Sequence, residues 1–419
     1  MDGGIIMGFL LSANFREQVK KTKDITQIQE MNYTVSYPTG FLPLDASNGY
    51  CMETKAQPGV IRYMLGICDG SINMIIADSG VGKTTLACQA ACEIIRPFKT
   101  SCIFFEEAEI GANIPRIKRL SEFTEEEFKD RFIIRDVGVT TESLYRRVKM
   151  IYDLKMEHYD ECAYDTGILD DDGKPLIKLE PTIVIVDSIK MVMPEKIVES
   201  EATNMAGAQT AKSNADTYTR LVPMCRAANI IIITINHITV DVNTGITPKK
   251  ADLAFLKQGE KISGGRSLVY IQNNIFRLDI TTKLKKDETY GINGSIVDVD
   301  IVKSRTGESG RRICKLIFDQ SNGYDKDLTL FQYMKDNNLF EGSGAYLMVP
   351  GCDKKFSTKK FKELIKTDKD FYIATCRVCL EHIKHVMLED YEEYKRRTSE
   401  AVDTASLYRS ILSGLMEAA

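Results

Sequence analysis

The chain has 419 residues, 43% of them hydrophobic, and a formal net charge of −4. That length exceeds one small domain, and the acidic balance excludes bulk charge as a source of nucleic-acid affinity, leaving local basic loops as the only route to it. No apolar run reaches the ~18 residues of a membrane span, and eleven cysteines without a regular framework suggest reduced thiols in a cytosol-like, hence cytoplasmic, setting.

In chain order, "MDGGIIMGFLLSANFREQVKK" carries a short apolar patch behind Asp2 rather than a basic leader. It is read as a helix and not as a signal peptide, so 1–36 form an N-terminal helical segment. "YPTGFLPLDASNGY" (37–50) is turn-rich and opens the main domain, 37–330. Beyond it come "INMIIA" (72–77), "SCIFFE" (101–106), "FIIRD" (132–136), "TIVIVD" (182–187) and "IIIITIN" (230–236), alternating with helical stretches. These runs are almost continuously apolar, as in strands buried on both faces of a parallel sheet. "IFRLDI" (275–280), "SIVDVDIV" (295–302) and "ICKLIF" (313–318) alternate more and lie close together, which predicts an antiparallel extension. Residues 331–419 change to a Lys- and Glu-rich helical pattern, a small α-rich C-terminal module. The expected class is α/β, with a mostly parallel central sheet.

Two stretches invite metal readings. "DDDG" inside 157–180 fails the calcium-loop spacing, because the first and twelfth positions would be Ile168 and Leu179. It is read as a solvated acidic hairpin. "CRVCLEHIKHV" carries Cys376, Cys379, His382 and His385. On a helix these spread over ~13 Å of rise, too far for one tetrahedral ion, so an ordinary helix with buried cysteines is expected.

The strongest chemical signal is "ADSGVGKTT" (77–85), between a strand and a helical stretch. It fits the phosphate-loop pattern with Ala77 in place of the first glycine, and Ser79, Gly80, Val81, Gly82, Lys83, Thr84 and Thr85 are its contact residues. Gly80 and Gly82 let backbone N–H groups turn inward onto phosphate oxygens. Lys83 supplies a point charge for the β- and γ-phosphates, and the Thr84 hydroxyl a ligand for Mg²⁺. Asp187 ends an apolar strand at the sheet edge where such folds bind ligands, and is read as a second Mg²⁺ contact, through water. ATP and Mg²⁺ are the expected cofactors. "CIFFEEAEIG" (102–111) offers Glu106, Glu107 and Glu109 to orient an attacking water, and spacing alone does not choose among them.

The order of phosphate loop, "EEAEIG", "IVIVDS", "TINHI", "KISGGRSLVYIQNNIFRLDI" and "IVKSRTGESG" resembles the RecA family of strand-exchange recombinases, closest to the phage UvsX-type branch. The resemblance covers about 36–325 and implies a RecA-like P-loop NTPase core. It makes Glu109 the water-activating residue, with Glu106 second, and brings Arg116 onto the adenine where a tyrosine is often found. It implies two loops facing DNA, about 193–207 and 238–266. The second carries Lys249, Lys250, Lys257, Lys261 and Arg266, with Phe255 or Leu256 to wedge between bases and Gly264 and Gly265 to return the chain to the sheet. It implies that Lys303 and Arg305 reach the γ-phosphate bound by a neighbouring protomer. His237, in "NIIIITINHITV", would sense the γ-phosphate and couple it to DNA grip. The expected partners are single- and double-stranded DNA and further copies of the chain in a helical filament, with ATP at the protomer interface and no membrane. The N-terminal stretch "GFLLSANFREQVKK" is a candidate polymerisation helix. Two rivals stand beside this reading: a hexameric replicative helicase, and a non-catalytic recombinase paralogue that regulates filaments.

Overall fold

The structure, a computed structural model, describes residues 35–170, 172–198, 206–240, 253–263, 265–305, 312–343 and 346–417. The expected N-terminal helix lies outside the described residues, except for Val35 and Ser36, which lead into a short strand paired with Ile67–Cys68.

The centre is a ten-stranded sheet. Its strands are β1 (Ile72–Ala77), β2 (Ile103–Glu107), β3 (Phe132–Arg135), β4 (Thr182–Asp187), β5 (Ile230–Val240), β6 (Glu260–Ile262), β7 (Asn274–Leu284), β8 (Gly294–Ser304), β9 (Arg312–Asp319) and β10 (Gly323–Tyr324). The order across it is β10-β9-β8-β7-β1-β5-β4-β2-β3, with β6 folded back on the far end of β5. From β7 to β3 every neighbouring pair is parallel. From β7 to β10 every pair is antiparallel. The expected antiparallel extension is present, with one refinement: "IFRLDI" is the hinge strand, parallel to β1 on one side and antiparallel to β8 on the other.

The sheet is covered on both faces, and the two-residue period of the strands decides which side chains go where. Ile75 and Ala77, Phe105, Ile183 and Ile185, and Ile231, Ile233 and Ile235 pack on the face covered by helix α1 (Lys83–Ile95). Ile72, Met74 and Ile76, Phe104, Val184 and Val186, and Ile230 and Ile232 pack on the opposite face. There they meet Leu144, Val148 and Ile151 of α3 (Thr141–Glu157), and Tyr218, Leu221 and Cys225 of α4 (Ala206–Ala228). Helix α2 (Ile114–Ser121) joins the α1 side through Ile117.

Residues after 330 are mostly helical, but they do not keep a core to themselves. Leu284 and Ile317 from the antiparallel half of the sheet, and Tyr290 and Ile292 from the connection between β7 and β8, pack with Phe331 of α6 (Lys326–Asp336), Phe356, Phe361 and Phe371. The last helix, α7 (Lys369–Glu417), carries "CRVCLEHIKHV" on a continuous helical path. His382 meets the Tyr333 hydroxyl at 2.8 Å and His385 pairs with Glu389. The 157–180 stretch forms a two-stranded hairpin, Ala163–Leu169 against Pro175–Leu179, with Asp170 Oδ1 accepting from the Asp172 and Lys174 amides at its turn. No described helix is long and apolar enough to cross a membrane.

Candidate functional site

The C-terminal ends of the parallel strands open onto a cavity of about 430 Å³. One wall is the turn between β1 and α1. Gly80 and Gly82 sit at φ 79° and 96°, the left-handed region that favours glycine. A Cβ on Gly82 would also lie 2.9 Å from the Phe318 ring, so the second glycine is required twice over. Ser79, Gly80, Gly82, Lys83, Thr84 and Thr85 line the cavity. Val81 does not: its side chain is buried in the core and its carbonyl accepts the Tyr324 hydroxyl at 3.0 Å. Val81 therefore holds the loop from behind.

Lys83 is buried, and its ammonium donates to the carbonyls of Ala77 (3.2 Å) and Asp78 (2.8 Å) and to His237 Nδ1 (3.2 Å). Burial pushes its pKa down, against the pull of Asp187, Glu109 and Asp78. An ammonium has only donors, so His237 Nδ1 is the acceptor and the ring proton sits on Nε2. That nitrogen points at Glu109 Oε1, 2.9 Å away. Burial and the Lys83 charge depress the imidazole pKa, which favours the neutral ring this pattern needs.

Asp187 ends β4 on the α1 face, and its Oδ2 accepts from the Thr84 hydroxyl at 2.5 Å. Burial pushes this carboxyl up to about 6, opposed by the Thr84 hydroxyl and reinforced by Glu109 and Glu107. Two hard oxygen donors on adjacent walls suit Mg²⁺ rather than a softer ion.

The three glutamates separate by strand parity. Glu107 shares its face with Ile103 and Phe105, lines the cavity, and accepts the Gly111 amide at 3.0 Å. Glu106 points through the other face, where it pairs with Arg147 at 3.2 Å beneath α3. The structure does not bring Glu106 to the cavity, because a strand residue adjacent to Glu107 must face the opposite way. Glu109 lies beyond the strand in the cavity wall and also accepts from the Ser188 hydroxyl at 2.5 Å. Ile110 follows it in the left-handed region (φ 52°), a costly conformation for a β-branched residue. It carries the chain round to α2, where Asn113 caps the Arg116 amide at 3.0 Å. Arg116 lines the cavity with Ile117, Leu120 and Phe318, and its buried Nε has no hydrogen-bond partner among the described residues.

Asn236 and His237 are neighbours with opposite tasks. His237 pairs in register with Ala77 of β1 and enters the cavity. Asn236 points through the other face and donates to the Ser263 carbonyl at 2.8 Å, at the root of the second loop. That root is clamped by buried Arg277, which forks onto Glu260 at 2.7 and 2.9 Å and also reaches Asp279 and the Phe255 carbonyl. Lys257 pairs with Asp279 at 3.6 Å, while Lys261 and Arg266 are solvent-facing, Arg266 in the first turn of α5 (Gly265–Ile271). Leu256 is buried against the α4 face and Phe255 packs partly on the same cluster, so neither is presented as a wedge in this arrangement. Lys249, Lys250 and Gly264 lie outside the described residues, as do 199–205 of the first loop.

Lys303 and Arg305 do not line the cavity. The Lys303 ammonium donates to the carbonyls of Val269 (2.7 Å) and Tyr270 (2.9 Å), and Arg305 donates to the same Tyr270 carbonyl at the end of α5. Burial and the adjacent Arg305 push Lys303 down to about 8.

Glu107 lines the cavity as one of the three glutamates that spacing alone did not separate, and Ser188, buried behind the wall, had no role in the sequence reading. The parity of "CIFFEE" carries enough signal to separate Glu107 from Glu106. Nothing in spacing signals the Ser188–Glu109 bond, which joins residues 79 apart. No protein-family model matches the chain, and no curated protein matches it.

Proposed function

We propose that the chain is an ATP-dependent recombinase of the RecA type, built on a RecA-like P-loop NTPase core. In this reading it assembles as a filament on single-stranded DNA and pairs it with a homologous duplex. The supporting observation is the chain of contacts Lys83–His237–Glu109 beside Thr84–Asp187 in one cavity. A phosphate loop alone serves many chemistries. A phosphate lysine, a neutral imidazole and a carboxylate in series join the phosphate end of a site to the group that would orient water.

The residues divide the work as follows. Backbone amides of 79–84 and the Lys83 ammonium hold the phosphates. Thr84 and Asp187 hold Mg²⁺, which when bound offsets phosphate charge. Glu109 orients the attacking water and takes its proton at a carboxylate oxygen. Arg116 and Ile117 of α2 border the cavity on a wall separate from the phosphate loop, and the base is assigned to that wall. All three Lys83 donors are engaged within the protein, so a phosphate oxygen must displace at least one acceptor. Displacing His237 frees its ring on β5, where the neighbouring Asn236 anchors the second loop. That is a physical route from γ-phosphate to DNA grip.

The test is ATP turnover with and without single-stranded DNA, followed by strand exchange between homologous substrates. DNA-stimulated turnover with exchange is expected. Turnover without exchange, in closed rings that unwind duplexes, would instead identify a helicase.

A further inference from the structure

The hydroxyl of Ser188 is spent on one atom. Ser188 is fully buried, and its Oγ donates to Glu109 Oε1 at 2.5 Å. The backbone repeats the tie: the Asp187 carbonyl accepts from the Ala108 amide at 2.6 Å and from the Glu109 amide at 3.2 Å. On its other side the same segment is fastened to β5, with the Ile189 amide donating to the Ile235 carbonyl at 3.0 Å. Ser188 thus stands on a rigid platform between two parallel strands, while Glu109 stands on the connection leaving β2.

This asymmetry matters because Glu109 lies two residues past its strand, where the ladder no longer fixes it. A glutamate side chain has three rotatable bonds and loses substantial entropy when held in one pose. His237 also binds Oε1, but His237 is shared with Lys83. If a phosphate draws Lys83 away, the imidazole can turn. The Ser188 contact does not depend on Lys83 and would persist.

We propose that Ser188 is a positioning residue for nucleotide hydrolysis: its hydroxyl pins Oε1 of Glu109, so that the remaining carboxylate oxygen is presented to water through the hydrolytic cycle. This rests on the NTPase reading above. The hydroxyl proton makes one bond, so its loss frees the carboxylate without removing any group that holds nucleotide.

The experiment compares Ser188→Ala, Ser188→Thr and Glu109→Gln, singly and with Ser188→Ala combined with Glu109→Gln. The readouts are ADP affinity, thermal midpoint, and kcat and KM for ATP with single-stranded DNA. Ser188→Ala is expected to keep ADP affinity and KM within about threefold while kcat falls about tenfold, since a positioned base contributes about 10²–10⁴ in all. Ser188→Thr, which keeps the hydroxyl, should restore most of kcat. Added to Glu109→Gln, Ser188→Ala should have no further effect, because a group acting through Glu109 has nothing left to position. Additive losses, an equal fall in ADP affinity, or unchanged kcat in Ser188→Ala would overturn the inference while leaving the NTPase reading standing. If Ser188→Ala does not fold, Ser188→Cys replaces it, with the same outcomes read from a weak donor. A wild-type chain that binds no nucleotide overturns both.

Discussion

His237 Nε2 stands 2.9 Å from Glu109 Oε1, and Nδ1 of the same ring stands 3.2 Å from the Lys83 ammonium. One imidazole therefore bridges the Lys83 ammonium and the Glu109 carboxylate, in the tautomer with its proton on Nε2. His237→Ala should leave ATP affinity within a few-fold of wild type, because backbone amides and Lys83 keep the phosphates. It should abolish the ATP-induced gain in single-stranded DNA affinity, measured by anisotropy of labelled DNA with and without nucleotide. His237→Gln, which offers a donor and an acceptor on one amide, should retain part of the gain. Full coupling in His237→Ala would reduce the histidine to a structural strand residue.

Asp187 makes the site sensitive to acid in a direction that can be worked out. Its carboxyl, at about 6, lies above the ordinary 3.8, so between those values the folded chain binds more protons than the unfolded one. Its burden on stability is absent below pH ~4 and grows as pH rises through 6, to about 3 kcal/mol when fully ionised. A divalent cation on Thr84 and Asp187 favours the carboxylate and removes that burden. The rise in thermal midpoint on adding Mg²⁺ and ADP should therefore be larger at pH 7.5 than at pH 5.5. Asp187→Asn should raise the midpoint at pH 7.5 without Mg²⁺ and lose most of the Mg²⁺-dependent gain. Equal gains at both pH values would remove Asp187 from the metal site.

Much of this was legible in the sequence because strand burial and phosphate-loop chemistry are local. "INMIIA", "TIVIVD" and "IIIITIN" are strands of the parallel part of the sheet, and Lys83, Thr84, Asp187, Glu109 and His237 meet at one cavity. Glu106, the second choice, is not at the cavity because it is one residue from Glu107, and one residue on a strand exchanges faces. Its pairing with Arg147 was hidden, since Arg147 lies on a helix 41 residues later. Leu256 looked like a surface wedge because loop composition does not report burial. What holds it inward is the Arg277 clamp on Glu260, a contact between residues 17 apart that only the fold brings together.

That clamp gives a stability prediction. Arg277 and Glu260 are both largely buried, with Asp279 completing the fork. Arg277→Ala strands the Glu260 charge in a site built for a guanidinium, and should cost about 3–5 kcal/mol in urea denaturation. Arg277→Met with Glu260→Leu removes both charges and should recover most of that loss. If the second loop grips DNA, the double variant should be stable yet weakened in DNA binding, because the root that sets the loop's exit is gone. A loss below ~1 kcal/mol for Arg277→Ala would show that water reaches the pair.

Lys303 and Arg305 give the sharpest test of assembly. Both are committed to the end of α5 and neither lines the cavity of their own chain. A role in phosphate chemistry therefore requires a second copy. The α5 carbonyls hold the two cations side by side, and the depressed Lys303 pKa of about 8 means an approaching phosphate would also stabilise its charge. The double variant Lys303→Ala with Arg305→Ala should bind ATP normally and lose about 10³-fold in kcat, as when an arginine finger is removed. Lys83→Ala should lose turnover for the complementary reason. Mixed in equal amounts on single-stranded DNA, the two inactive chains should regain activity, up to about a quarter of wild type for random head-to-tail order. An intact Lys83 pocket then meets intact Lys303 and Arg305 wherever the two chains adjoin in the right sense. If activity stays flat at every mixing ratio, the two cations serve only to hold α5, and the neighbouring protomer contributes nothing through them.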